Sequence, residues 1–99
     1  MAMIRVTSAR LRSAAGELQN LNGQFQSKAR ELQGKEQALC QMWEGQAKEA
    51  FHGAFTKDSQ QMDAFYRLIN QYIQAMLEIA ARYEQAEVRN AQTAAARTY

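Results

Sequence analysis

The stretch CQMWEGQAKEAF, residues 40–51, separates two long polar segments and decides how the chain folds. It contains the single Trp and the single Cys of the chain, and the single His, His52, follows it directly. No Pro occurs in the 99 residues, although an average usage of about 5% would give about five. Because Pro interrupts helices, and because the plentiful Ala and Gln favour them, both flanking segments are predicted to be helical. The quoted stretch is predicted to be the turn between them.

Gly45 supports a turn at this point, since helices commonly end with a residue of positive φ just after the cap, and Gly adopts it without steric cost. We therefore predict a single hairpin domain over residues 1–99, with helix 1 at about 8–41, the turn at 42–46 and helix 2 at about 47–92, followed by a frayed tail. Thr7 and Ser8 are the candidates for the N-cap of helix 1. Trp43 is expected to fold its ring over the apolar seam near the turn, where it is either a core residue or part of a recognition motif.

Apolar residues recur at spacing seven in both segments, a heptad pattern that predicts helices packed along a left-handed seam. The pattern keeps its phase on both sides of Gly34, so helix 1 is predicted to continue through this residue. Tyr66, Ile73 and Ala80 lie on one flank of the pattern in helix 2. The residues predicted for the core and the dimer seam are Leu18, Phe25, Leu32, Leu39, Phe55, Met62, Phe65, Ile69, Tyr72 and Met76.

The apolar arc of helix 2 is too wide for a simple hairpin. It covers on the order of 200°, whereas a helix packed on one side needs roughly 100°. Two helices in a hairpin bury only one seam between them, so another surface must be covered. The all-α hairpin is therefore predicted to dimerise into a four-helix bundle.

Composition excludes several classes of function. The net charge of +2 comes from 12 basic and 10 acidic residues with interleaved signs, which argues against nucleic-acid binding. No apolar run approaches the roughly 18 residues of a membrane span, and MAMIRV is too short for the apolar region of a signal peptide. A single Cys excludes an internal disulfide.

Tyr83 and Glu87, in the sequence YEQAE, form a second candidate motif near the end of helix 2. At positions i and i+4 they share one helical face. Taken alone, the pair is also compatible with a core Tyr beside an exposed Glu.

These motifs together resemble the Trp-X-Gly family of about one hundred residues, whose members are similar to the early secreted antigenic target of mycobacteria. The resemblance rests on VTSARLRSAAGEL, on WEGQAKEAF and on YEQAE, and it covers nearly the whole chain. It implies a helical hairpin that dimerises and is exported by a type VII secretion system without a cleaved signal. It also implies that Trp43 and Gly45 form the turn motif and that Tyr83 and Glu87 form the export signal. The fuller export pattern of the family has a small hydrophobic residue three positions after the acidic residue and another hydrophobic residue four positions further on. This chain has Ala94 at the second position but the polar Asn90 at the first.

The predicted geometry separates the two motifs within one chain. Tyr83 lies 38 residues after Gly45, or about 57 Å along a helix. An antiparallel dimer would place the turn of one chain beside the Tyr83 region of the other. The secretion machine would then bind a composite of both motifs.

No catalytic, cofactor-binding or metal-binding site is predicted. His52 and Cys40 lie on opposite sides of the turn, and no third orienting group or oxyanion hole is indicated. His52 is interpreted as a surface residue and Cys40 as a small buried hydrophobic residue.

The sequence leaves four hypotheses for the function, of which three are interaction functions and one is enzymatic. The first is a secreted homodimer that binds the type VII ATPase during export. The second is a heterodimeric partner, related in sequence, that escorts a larger effector. A cytosolic helical adaptor and an enzyme dependent on Cys40 or His52 are the other two.

Overall fold

Residues 7–96 are described by the computed structural model of the chain, and they form two antiparallel helices, Ser8–Met42 (α1) and Gln46–Ala96 (α2). This part of the chain contains no strand. The hairpin is elongated, with extents of 84 × 28 × 16 Å. The predicted absence of a signal peptide concerns residues 1–6, which lie outside the described range, as do residues 97–99 of the predicted frayed tail.

The start of α1 follows the sequence prediction. Thr7 is the N-cap in an extended conformation, and its Oγ1 accepts a hydrogen bond of 3.1 Å from the backbone N–H of Arg10. The helix then runs without a break through Gly34. A side chain at Gly34 would meet no atom within 4 Å, so close packing is not what this Gly provides.

α2 is the longer helix, with 51 residues against 35 in α1. The sequence predicted an end near residue 92, but α2 continues to Ala96. The Ala residues at positions 94–96 explain the extra length, because Ala has the strongest helix propensity. Arg12 and Glu84 pair near the open end, with Nη2 and Oε1 2.6 Å apart. Ser8 is therefore level with about residue 88, and the last residues of α2 project beyond α1. Within residues 7–96, neither helix has an apolar run long enough to cross a membrane.

The most buried residues lie on one row of each helix at spacing seven. Ala15 on α1, and Ile73 and Ala80 on α2, are fully buried. Two polar residues of the α1 row, Asn22 and Glu36, are also buried. The two rows are Ala15, Asn22, Ala29 and Glu36 on α1, and Ser59, Tyr66, Ile73 and Ala80 on α2.

The heptad ladder predicted for the core lies beside these rows and not between the helices. Leu32, Leu39, Phe65 and Tyr72 are exposed in the single hairpin, so they do not form its core, and their place in a dimer seam stays a prediction. The small side chains at positions 15 and 80 let the helices approach closely on the central row, and the bulkier ladder is displaced to one side. The other predicted residues are half-buried: Leu18, Phe25, Phe55, Met62, Ile69 and Met76.

Candidate functional site

The turn around Gly45 consists of three residues. α1 ends at Trp43, whose φ of −118° and ψ of 127° are extended. Gly45 has a φ of +110°, and its carbonyl accepts a 3.4 Å hydrogen bond from the N–H of Glu49. The expected positive φ is confirmed, but its place is different. Because the extended Trp43 already caps α1, Gly45 comes immediately before α2 instead of following the cap of α1.

Trp43 packs against the first turns of α2. Its ring centroid lies 5.5 Å from that of Phe51, which in turn lies 6.4 Å from Phe55. Trp43 is half-buried and Phe51 is exposed. The three rings form an aromatic cluster that covers the closed end of the hairpin and still offers ring surface to solvent.

One side of the hairpin, formed by both helices, carries most of the exposed apolar side chains. Phe25 and Phe65 meet there, with ring centroids 5.3 Å apart, and a shallow groove beside them is lined by Leu18, Leu21 and Ile69. Helical periodicity places further members of the ladder, together with Ile79 and Tyr83 of α2, on the same side. We define the apolar face as Leu18, Leu21, Phe25, Leu32, Leu39, Phe65, Ile69, Tyr72, Met76, Ile79 and Tyr83.

Tyr83 and Glu87 lie where α1 begins and α2 starts to project. Tyr83 is 43% exposed, at one end of the apolar face. Glu87 and Asn90 are both exposed. Since α2 is continuous from Gln46 onward, Tyr83 is about 57 Å along the helix from Gly45. Within one chain the structure does not bring the two motifs together.

The comparisons with known proteins agree with this architecture. The sequence profile of WXG100, described as proteins of 100 residues with WXG, matches residues 3–88. The chain belongs to the WXG100 family. The resemblance seen in the sequence is thus confirmed.

Solved structures similar to this WXG100 chain include the secreted protein EsxB from Bacillus anthracis str. Sterne. The selenomethionine-labelled EsxB structure has a TM-score of 0.77 at 26% identity, covering 88% of this chain and 99% of that one. The wild-type EsxB structure in space group P21 gives 0.75 at 27% identity, covering 85% and 97%. No curated protein sequence matches the chain. The predicted helical hairpin is confirmed.

A second cluster of functional groups in this WXG100 chain lies between the helices near the turn. Oε1 of Glu36 accepts a hydrogen bond of 3.0 Å from the Cys40 thiol. The same oxygen lies 2.6 Å from Nδ1 of His52, and the Cys40 Sγ and His52 Nδ1 atoms are 3.9 Å apart. An ionised carboxylate only accepts, so Nδ1 of His52 carries the proton in this pair.

The hydrogen bonds of this cluster shift the acidity of two of its members. The bond from Cys40, followed by that from His52, lowers the pKa of the Glu36 carboxyl. The bond to Glu36 raises the pKa of the Cys40 thiol, and burial raises it further. The cluster therefore holds a carboxylate beside a protonated thiol at neutral pH, which is unlike an activated nucleophile.

The structure brings Cys40 and His52 together around Glu36, a grouping that the sequence interpretation did not include. His52 is exposed, as expected of a surface residue, and Cys40 is half-buried. A signal for this grouping was present in the sequence. Glu36 and Cys40 are spaced i and i+4 on one helical face. Cys40 and His52 stand six residues on either side of Gln46, which an antiparallel hairpin with its turn at that point brings to the same level.

Proposed function

We propose that this WXG100 protein is secreted by the type VII pathway as a folded antiparallel homodimer and acts by binding other proteins. The apolar face is the observation that carries the proposal. It extends along both helices and includes aromatic side chains that are about half exposed, such as Phe65 at 49% and Tyr72 at 54%. Extended apolar surfaces of this kind mark interaction sites in soluble proteins.

A second hairpin would cover this face. Two hairpins packed face to face bury the ladders of both chains and form a four-helix bundle. The single hairpin buries only three apolar side chains completely among the described residues, which is a small core for a chain of 99 residues. Dimerisation would supply the missing core.

The dimer would also assemble the export site. An antiparallel arrangement places the closed end of one hairpin, with Trp43 and Gly45, near Tyr83 and Glu87 of the other chain. Exposed ring surface at the closed end and an exposed carboxylate at the open end suit a composite surface of this kind. We propose that the ATPase of the secretion machine binds it, although Asn90 departs from the fuller family signal.

A related escort function uses the same face. In that case the partner is another family member or the helical region of a larger effector, and the hairpin alone leaves its apolar face bare. The two arrangements differ in the state of the purified chain. A homodimer sediments at about twice the chain mass of 11.2 kDa, whereas an escort remains monomeric until its partner is added.

A secretion assay tests the proposal directly. Wild-type protein, Trp43→Ala and Glu87→Ala are produced in cells with and without the type VII ATPase, and the culture medium is compared with the cell fraction. Export of the wild type only when the ATPase is present is expected, together with loss of export in both variants. Sedimentation of the purified variants establishes that they still dimerise.

Glu78→Ala is the matched control, because it removes an exposed carboxylate from the same helix without touching either motif. Its export should equal that of the wild type. Normal export of dimeric Trp43→Ala and Glu87→Ala would refute the composite signal. Export that does not depend on the ATPase would refute the type VII pathway.

A further inference from the structure

We propose that Glu36, Cys40 and His52 form a binding site for one Zn²⁺ ion per chain. The three side chains come from both helices and place a thiol sulfur, an imidazole nitrogen and a carboxylate oxygen within 4.8 Å of one another. This site is independent of the secretion proposed above. It lies between the two helices near the closed end of the hairpin.

The chemistry of the three donors selects the metal. Thiolate, imidazole and carboxylate are the three protein ligands of Zn²⁺, and sites with three protein ligands hold a water in the fourth position. Mg²⁺ and Ca²⁺ bind oxygen ligands almost exclusively. A mixed set of sulfur, nitrogen and oxygen therefore favours a transition metal of the zinc type.

The spacing of the donor atoms is close to that of a tetrahedral site. With metal–ligand distances of about 2.0–2.3 Å, neighbouring ligand atoms lie about 3.3–3.6 Å apart. The three separations between Glu36, Cys40 and His52 are 3.0, 2.6 and 3.9 Å. Shifts of less than about 1 Å would convert the present hydrogen bonds into coordination bonds, once the Cys40 thiol releases its proton to solvent and the His52 proton moves from Nδ1 to Nε2. The His52 side chain is 53% exposed and has room to move.

Helix packing alone does not explain why a carboxylate, that of Glu36, is buried at this position. Its side chain is only 4% exposed, at a position of the central row where an apolar residue would serve the fold. A buried carboxylate is costly unless it is paired or coordinates a metal. Here both of its neighbours are metal-ligand types, and both direct their polar atoms to the same carboxylate oxygen.

Solvent reaches the site through an open groove. A groove lined by Gln33, Gln37 and Thr56 opens beside Glu36 and His52, and it gives an ion a path of entry and a position for the fourth ligand. Binding would cross-link α1 to α2 within two turns of Trp43 and Gly45. The metal would thereby hold the closed end of the hairpin in place.

Titration with Co²⁺, the spectroscopic substitute for Zn²⁺, tests the site. Metal-free protein is kept reduced and titrated while its absorption spectrum is recorded. We expect a sulfur-to-cobalt charge-transfer band that saturates at one ion per chain and disappears when Zn²⁺ is added. The chain has one Cys and one His, so Cys40→Ser should abolish the band and His52→Gln should weaken binding.

Thermal unfolding supplies a readout that does not depend on the thiol. Zn²⁺ at about 100 times its dissociation constant should raise the Tm by roughly 10 °C. Glu36→Gln should lower the affinity at least about tenfold, by analogy with the loss of residues that support metal ligands. Glu44→Gln is the matched control, since it removes an exposed carboxylate beside the turn and should leave zinc affinity unchanged.

Two results would overturn the proposal. One is the absence of a charge-transfer band in the folded wild type with excess Co²⁺. The other is a band whose affinity is the same in wild type, His52→Gln and Glu36→Gln, because that would show binding to an isolated thiol. Circular dichroism of each variant establishes that the helices are intact.

Discussion

Nδ2 of Asn22 on α1 donates a 3.1 Å hydrogen bond to Oδ1 of Asn70 on α2, at the centre of the helix interface. The same amide donates a 3.0 Å hydrogen bond to the backbone carbonyl of Tyr66. Asn22 is 4% exposed, so it occupies a place where an apolar residue would ordinarily pack. A buried Asn in a helical seam fixes which residues lie opposite each other, because any shift leaves its amide without partners.

We predict that Asn22 and Asn70 stabilise the hairpin as a pair. Asn22→Ala should lower the free energy of unfolding by about 1–3 kcal/mol, because it leaves a polar group of Asn70 without its partner. A double-mutant cycle with Asn70→Ala should give a coupling energy of about 0.5–1.5 kcal/mol. Urea unfolding followed by circular dichroism provides both values. Strictly additive effects of the two substitutions would show that the hydrogen bond contributes nothing.

The sequence predicts most of the fold because three signals agree. The absence of Pro, the apolar spacing of seven and the position of Gly45 together specify two helices and one turn. The row that faces the partner helix could not be predicted in the same way. Its members on α1 include Asn22 and Glu36, whose polarity is typical of a solvent-facing row. The burial of these two residues depends on partners from the other helix, which no pattern within α1 reveals.

The candidate sites differ in how far the sequence revealed them. Trp43 is the only Trp of the chain and Gly45 lies two residues after it at a predicted turn, so their role in the turn follows from local chemistry. Glu36 shares a helical face with Cys40, but this spacing is common, and Glu36 becomes notable only when α2 places His52 against it. The composite of Trp43 with Tyr83 requires a second chain, and its geometry depends on how the two hairpins pair.

We predict opposite effects of the same substitution at two glycines. Gly45→Ala should lower the free energy of unfolding by about 1–2 kcal/mol, because a φ of +110° is unfavourable for a residue with a Cβ. Gly34→Ala should raise it by about 1 kcal/mol, since Ala is the better residue inside a helix. Neither new methyl group meets a more distant part of the chain within 4 Å, so tertiary packing does not obscure the comparison.

Urea unfolding at one fixed protein concentration measures both glycine variants, because dimerisation would make stability depend on concentration. A neutral or stabilising effect of Gly45→Ala would mean that the turn relaxes to a negative φ. A destabilising Gly34→Ala would mean that a partner packs closely against this part of α1.

A charge on the apolar face is expected to separate the proposed dimer. Phe65 is half exposed and packs on Phe25, so Phe65→Glu would bury an unpaired carboxylate between the two hairpins. We expect the dissociation constant to rise about 30-fold or more, as for a central interface residue. Gln74→Glu on the opposite side of α2 is the matched control. Analytical ultracentrifugation measures both, and an unchanged dissociation constant for Phe65→Glu would place the interface elsewhere.

The ion pair at the open end should make stability depend on pH in the acidic range. The hydrogen bond from Arg12 lowers the pKa of the Glu84 carboxyl from its ordinary value of 4.5. A lowered pKa in the folded state means that the contribution is complete above about pH 4.5 and is lost as the pH falls through the folded value. Glu84→Gln should therefore lower the Tm by a constant amount between pH 5 and 7, and the difference should shrink towards pH 2. Because both partners are nearly half exposed, the effect should be small and should weaken with added salt.

Thermal unfolding of the wild type and of Glu84→Gln across this pH range measures the effect, with Glu78→Gln as the control for removing one charge from α2. A Tm difference that keeps the same size down to the most acidic pH at which the protein still folds would show that Glu84 stabilises the hairpin through packing and not through the ion pair.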